Sequence, residues 1–99
     1  FVLVSSTQAQ RPGGTNAAYG AAKGAAESWT LALADDLGHT GATANIVVVE
    51  AILTPAMRAE NPDNDYPSFT PAEHIAGAIS FLLSEDADRM NGRRLALHH

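Results

Sequence analysis

Residues 1–38, "FVLVSSTQAQRPGGTNAAYGAAKGAAESWTLALADDLG", decide the architecture. Four apolar residues lead into Ser5, Ser6 and Thr7, the pattern of a strand buried on both faces. Pro12-Gly13-Gly14 reads as a loop. Thr15 or Asn16 is placed to cap a helix over Ala17–Leu37, and Gly38 to stop it in the left-handed conformation. Gly20 and Gly24 weaken that helix by about 1 kcal/mol each against alanine, so tertiary contact must support it. Ala18, Ala22, Gly24 and Ala25 leave a low surface that another helix or a ligand can approach. Trp29, Leu33 and Leu37 recur every four residues and predict a core or interface stripe.

The pattern repeats downstream. "ANIVVVE" (44–50) is a second buried-type strand after the "GHTGAT" turn. The stretch 51–71 is rich in Pro, Asn and Asp and reads as a long ordered loop, with one short helix near Pro55–Ala59. Loops of such length are uncommon in compact domains and often serve as lids, so Met57–Phe69 is the candidate lid. Thr70 as N-cap, Pro71 at N1 and Glu73 at N3 open a further helix. Its predicted buried face is Ile75, Ile79, Leu82 and Leu83. Asn91-Gly92 makes a turn into a last strand, Arg94–Leu97. Strands alternating with helices imply right-handed crossovers and a parallel sheet, an α/β fold. Three such strands leave an exposed edge beside the first, and that strand is apolar from residue 1. We therefore expect the chain to be the C-terminal half of a larger single domain.

Composition narrows the partners. The net charge is −5, which argues against nucleic acid or an anionic membrane, since both are bound through Lys and Arg. Charged residues make up 17% of the chain, below the ~25% usual for soluble domains. That shortage leaves room for a partner surface. There is no cysteine, so disulfides and thiolate zinc sites are excluded, and a reducing, cytoplasmic setting is expected. No signal peptide or spanning segment is visible. His98 and His99 suit a tail rather than a metal site, because neighbours on a strand point apart and no third ligand is near. His39 and His74 fall at turn and helix positions expected to be exposed, and no metal is expected. Asp35-Asp36 and Glu85-Asp86 read as solvated pairs at helix ends.

One pair stands out on the alanine-rich helix. Tyr19 and Lys23, the only lysine, lie at i and i+4 and so share a helix face. A free phenol ionises near pH 10 and is a poor base at neutral pH. A cation held beside a phenol favours its ionised form, which suits proton exchange with an alcohol or carbonyl. Ser6 ends the first strand, where ligands bind in open α/β sheets. Tyr-x-x-x-Lys alone also fits an ordinary surface helix.

Its surroundings add to it. "VSSTQAQRPGGTNAAYGAAKGAAE" (4–27) resembles the short-chain dehydrogenase/reductase family, with its serine step, loop and Tyr-x-x-x-Lys helix. Ser6 lies thirteen residues before Tyr19, the family's spacing. "GATANIVVVEAILTPAM" (41–57) looks like the family's Gly-x-x-x-Asn strand and cofactor loop, and "TPAEHIAGAISFLLSEDADRMNGRRLAL" (70–97) like its late helix and final strand. The resemblance implies a Rossmann-type three-layer fold and an oxidoreductase using NAD or NADP on a small alcohol or carbonyl substrate. It implies Tyr19 as general acid/base and Lys23 as the group that tunes it and holds the nicotinamide ribose. Ser6 would orient the substrate, and Ile52 and Thr54 would hold the carboxamide. It also implies a homo-oligomer, dimer or tetramer, paired through the tyrosine helix.

The chain departs from the family in three places. Val49-Glu50 stands where Pro-Gly is usual, the tail is "LHH", and residues 1–99 contain neither a G-x-G-x-x-G loop nor the family's upstream asparagine. Val49-Glu50 motivates a rival expectation, a non-catalytic ligand-binding or oligomerisation module. A half-domain that pairs with another chain is a third.

Overall fold

The computed structural model describes residues 1–99. β1 (Val2–Ser6), β2 (Asn45–Val49) and β5 (Arg94–Ala96) form a parallel sheet in the order β1-β2-β5. Val2 pairs with Asn45 through to Ser6 with Val49, and Ile46 pairs with Arg94 through to Val48 with Ala96. α1 (Ala17–Asp36) joins β1 to β2, and α3 (Ala72–Leu82) precedes β5. The sheet is sandwiched between them, as the alternation of strands and helices implies.

The central strand explains the order. All five residues of β2 are buried, as its unbroken apolar run requires. Val47 faces α3 and packs with Leu82 and Ala87, with Val2, Ala78 and Leu95 at the rim. Ser5, beside Val48 in the register, faces α1. Two asparagines fasten the loop that leads into β5. Asn45 donates to Met90 O at 2.7 Å and accepts from Arg93 N at 3.0 Å. Asn91 accepts from Ala44 N at 2.9 Å and donates to Ala34 O at 2.8 Å. The turn between them needs a left-handed residue, and Gly92 supplies it with φ +70.

The stretch 51–71 is more regular than a loop. β3 (Ala51–Leu53) and β4 (Phe69–Pro71) pair in parallel, joined by α2 (Pro55–Glu60). Thr70 is accordingly a strand residue and no helix cap. Its hydroxyl donates to Leu97 O, fastening this small sheet to the end of β5, and Pro71 takes the cap position of α3.

Other caps also differ from expectation. Neither Thr15 nor Asn16 caps α1 through its side chain, because a 3-10 turn at Gly14–Asn16 runs straight into the helix. Gly38 is not left-handed. α1 closes with Leu37 N on Leu33 O at 2.9 Å and Gly38 N on Asp35 O at 3.2 Å, and positive φ falls later, at Gly41.

The buried stripe of α1 is Gly20, Glu27, Thr30 and Ala34. Trp29 is 59% exposed and packs edge-on to Phe1 at 5.6 Å, so it is no core residue. On α3, Ile75 and Leu82 are buried, but Leu83 lies past the last turn and is 65% exposed. No helix is long and apolar enough to cross a membrane.

Candidate active site

Ser6 is buried at the carboxyl end of β1, where the chain turns into a 3-10 segment, Thr7–Ala9. Its side-chain oxygen accepts from Gln8 N at 3.1 Å and so caps that turn. The serine proton is left free to donate elsewhere.

The same turn lies on α1, and this explains the small residues of that helix. A Cβ added at Gly20 would stand 2.9 Å from Gln8 O and 3.0 Å from Pro12 Cβ. At Gly24 the nearest atom would be Ala9 O at 3.6 Å. The low surface expected from Ala18, Ala22, Gly24 and Ala25 is thus divided. The glycines receive the chain's own loop, while the three alanines stay exposed.

Tyr19 immediately precedes Gly20, and Lys23 follows it by about one turn. Half of Tyr19 is open to solvent, and the Lys23 ammonium stands 5.8 Å from its ring centre. Lys23 Nζ also donates to Val4 O at 3.1 Å, two residues before Ser6. Ser6, Tyr19 and Lys23 therefore belong to one strand-end–helix junction. Ile52 and Thr54 belong to β3 and the start of α2, and share no hydrogen bond with that junction. Ile52 is exposed, and Thr54 caps α2 by accepting from Met57 N at 3.2 Å.

This donor set suits one end of a nicotinamide dinucleotide. The ammonium, phenol and Ser6 hydroxyl of the junction have the hydrogen-bonding chemistry that a ribose and a substrate oxygen require, while the Thr54 hydroxyl caps α2. The Gly13-Gly14 turn ahead of α1 lacks the G-x-G-x-x-G spacing of a pyrophosphate-binding loop, and residues 1–99 hold no other candidate. The side chain of Glu50 is exposed and makes no hydrogen bond. It borders a cavity of about 370 Å³ together with Thr7, Arg11 and Arg94.

The segment 61–68 crosses near α2. Tyr66, at φ +47, donates from its hydroxyl to Met57 O at 3.0 Å and packs edge-on to Phe69 at 5.1 Å.

One feature of the junction escaped sequence reasoning. Glu27, one turn beyond Lys23, is buried at 6% exposure. Ser5 Oγ donates to its Oε2 at 2.6 Å, and Arg94 donates from Nε to Oε1 at 2.7 Å and from Nη2 to Oε2 at 3.4 Å. Burial pushes the Glu27 carboxyl up. The hydrogen bonds from Arg94 and Ser5, with the Arg94 charge, outweigh burial and hold it below the usual carboxylate range. The available signal was a glutamate on the face of a helix that otherwise meets the sheet through small residues.

Comparison with known proteins agrees with the fold. The family model described as enoyl-(acyl carrier protein) reductase matches residues 1–98. A Brucella melitensis short-chain dehydrogenase/reductase of the glucose/ribitol dehydrogenase type is 30% identical, with a TM-score of 0.77 over 97% of this chain and 42% of its own. The 3-ketoacyl-(acyl-carrier-protein) reductase of Brucella melitensis, in complex with NADH, is 27% identical, with a TM-score of 0.80 over 98% of this chain and 42% of its own. A Burkholderia cenocepacia short-chain dehydrogenase in complex with NADP is 27% identical, with a TM-score of 0.74 over 98% and 43%. The chain thus spans less than half the length of these structures. By its family-model match and its fold, the chain belongs to the short-chain dehydrogenase/reductase family.

Proposed function

We propose that residues 1–99 are the C-terminal half of an NAD(P)-dependent oxidoreductase domain that interconverts an alcohol and a carbonyl. The observation that carries this reading is the packing of the Ser6 turn onto α1 at Gly20, next to Tyr19 and within a turn of Lys23. Relatives in complex with NADH and NADP support the cofactor class. The dinucleotide cradle would come from residues outside this chain.

In this reading Tyr19 gives its phenolic proton to the substrate oxygen on reduction and takes it back on oxidation. Lys23 stands beside the phenol during this transfer, its ammonium 5.8 Å from the ring centre. Ser6 donates its free proton to the same oxygen and opposes the charge that develops there. A nicotinamide dinucleotide, when bound, supplies or accepts the hydride. Lys23 and Tyr19 would hold its ribose, and the Ile52 backbone and Thr54 hydroxyl its carboxamide. The exposed face of α1 that carries Trp29 is our candidate surface for a homo-oligomer.

The test is Tyr19→Phe in the full-length protein. We expect kcat to fall about 10²- to 10⁴-fold, the usual yield of general acid–base catalysis. Affinity for reduced cofactor, followed by its fluorescence, should be largely unchanged. Near-normal turnover would remove Tyr19 from the mechanism. Wild-type protein that binds neither cofactor would favour a non-catalytic module.

A further inference from the structure

Glu27 makes an expensive choice for a position facing a sheet. A buried carboxylate is costly unless paired, and well-packed apolar side chains in place of a buried ion pair are often as stable or more so. Stability alone is therefore a poor account of the Ser5–Glu27–Arg94 group. Its connections suggest another. Arg94 stands on β5 and Ser5 on β1, so the carboxylate joins both outer strands to α1 across the central strand. One helical turn earlier, Lys23 is tied to Val4 O.

Two contacts tie the helix to the strand. Tyr19, Lys23 and Glu27 recur every fourth residue along one helix, and Val4, Ser5 and Ser6 are consecutive on one strand. Lys23 meets Val4 and Glu27 meets Ser5. Two neighbouring turns of α1 are pinned to two neighbouring residues of β1. Ser6 follows Ser5 directly, and the turn that it caps packs on α1 at Gly20, next to Tyr19.

We propose that Glu27, held by Arg94, is a positioning residue of the proton-transfer junction: it fixes Ser5, and through Ser5 the register of Ser6 against Tyr19. It touches neither substrate nor cofactor. Setting a register is also the best-attested use of a buried polar group. The inference rests on the oxidoreductase reading above and goes beyond it, because the tyrosine and lysine roles do not require Glu27.

The experiment compares wild type, Ser5→Ala, Glu27→Gln and the double variant Glu27→Leu/Arg94→Met in the full-length protein. The double variant replaces the pair with apolar groups and guards against a simple folding defect. We expect kcat to fall about 10- to 100-fold in all three, the scale on which ~1 Å of misplacement acts. The KM for cofactor should stay within about twofold, since none of these changes removes a ligand-binding group. A double variant that folds stably and turns over at the wild-type rate overturns the proposal, because the pair is then structural only. If the wild-type protein shows no turnover, the oxidoreductase reading fails and the positioning claim is read by amide hydrogen exchange. Faster exchange at Ser6–Gln8 in the double variant, with β2 unchanged, upholds it. Unchanged exchange at Ser6–Gln8 overturns it.

Discussion

The ammonium of Lys23 donates a hydrogen bond to the carbonyl of Val4 at 3.1 Å while standing 5.8 Å from the ring centre of Tyr19. An ammonium carries three donors, so Val4 leaves two for a phenol and a ribose. Lys23 thus has a structural bond that does not compete with its proposed chemical one. Lys23→Met should cost about 1 kcal/mol of stability, near the low end for a hydrogen bond to a charged group because the site is half open to water. The same change should weaken NAD(P)H binding about tenfold, equivalent to one such bond. Urea melts and fluorescence titration read the two effects separately. Unchanged cofactor affinity would remove Lys23 from the binding site while leaving its tie to Val4 intact.

Gly20 and Gly77 make a matched pair. Both are helical, and alanine is normally favoured over glycine in a helix by roughly 1 kcal/mol. At Gly77 an added Cβ meets nothing within 4 Å, so Gly77→Ala should raise the melting temperature. At Gly20 the Cβ would press on Gln8 O at 2.9 Å, and a backbone atom cannot swing aside. Gly20→Ala should therefore destabilise despite its better propensity, and should lower kcat by lifting the Ser6 turn off α1. Thermal melts that rank Gly20→Ala above wild type would show that the loop is held more loosely than these distances imply.

Much of this fold was legible in the sequence, for identifiable reasons. β1 and β2 announce themselves as unbroken apolar runs, and Asn91-Gly92 marks its turn. Ser6, Tyr19 and Lys23 are local enough for spacing to suggest a shared site. The β3–β4 pair was not legible, because three-residue strands carry no usable period. Glu27 was not legible as a buried charge, because Arg94 is 67 residues away and Ser5 is 22 away. That Trp29 lies outside the core was not legible, because four-residue spacing marks a face without saying whether that face meets the sheet.

The start of the central strand offers a sharper stability test. Asn45 is fully buried and serves Met90 O and Arg93 N at once. Asn45→Leu leaves both backbone groups without their partner, at about 1–3 kcal/mol each. Asn45→Asp keeps an acceptor for Arg93 N but turns a charged oxygen toward Met90 O. We expect Asn45→Asp to be strongly destabilised at pH 7 and to recover partly in acid, as the carboxyl takes up a proton it can donate to Met90 O. Denaturant midpoints at the two pH values check this. An aspartate variant indifferent to pH would mean that water reaches the site.

Glu27 predicts the opposite response to acid. Its carboxyl lies below the ordinary value of 4.5 because Arg94 and Ser5 together outweigh the effect of burial. A group depressed on folding adds stability that is complete above its unfolded value and is lost as pH falls through the lower folded one. The stability difference between wild type and Glu27→Gln should therefore be constant above about pH 5.5, a unit over the unfolded value, and shrink steadily on acidification. Arg94→Met should reverse the trend. It leaves the buried carboxylate with Ser5 alone, so desolvation dominates and protonation becomes favourable on folding. Removing one partner of a buried pair costs about 3–5 kcal/mol, and we expect ~1–3 here because the Arg94 side chain is 30% exposed. That cost should diminish as pH drops toward 4. A cost that instead grows in acid would show that Arg94 acts through packing rather than through the charge of Glu27.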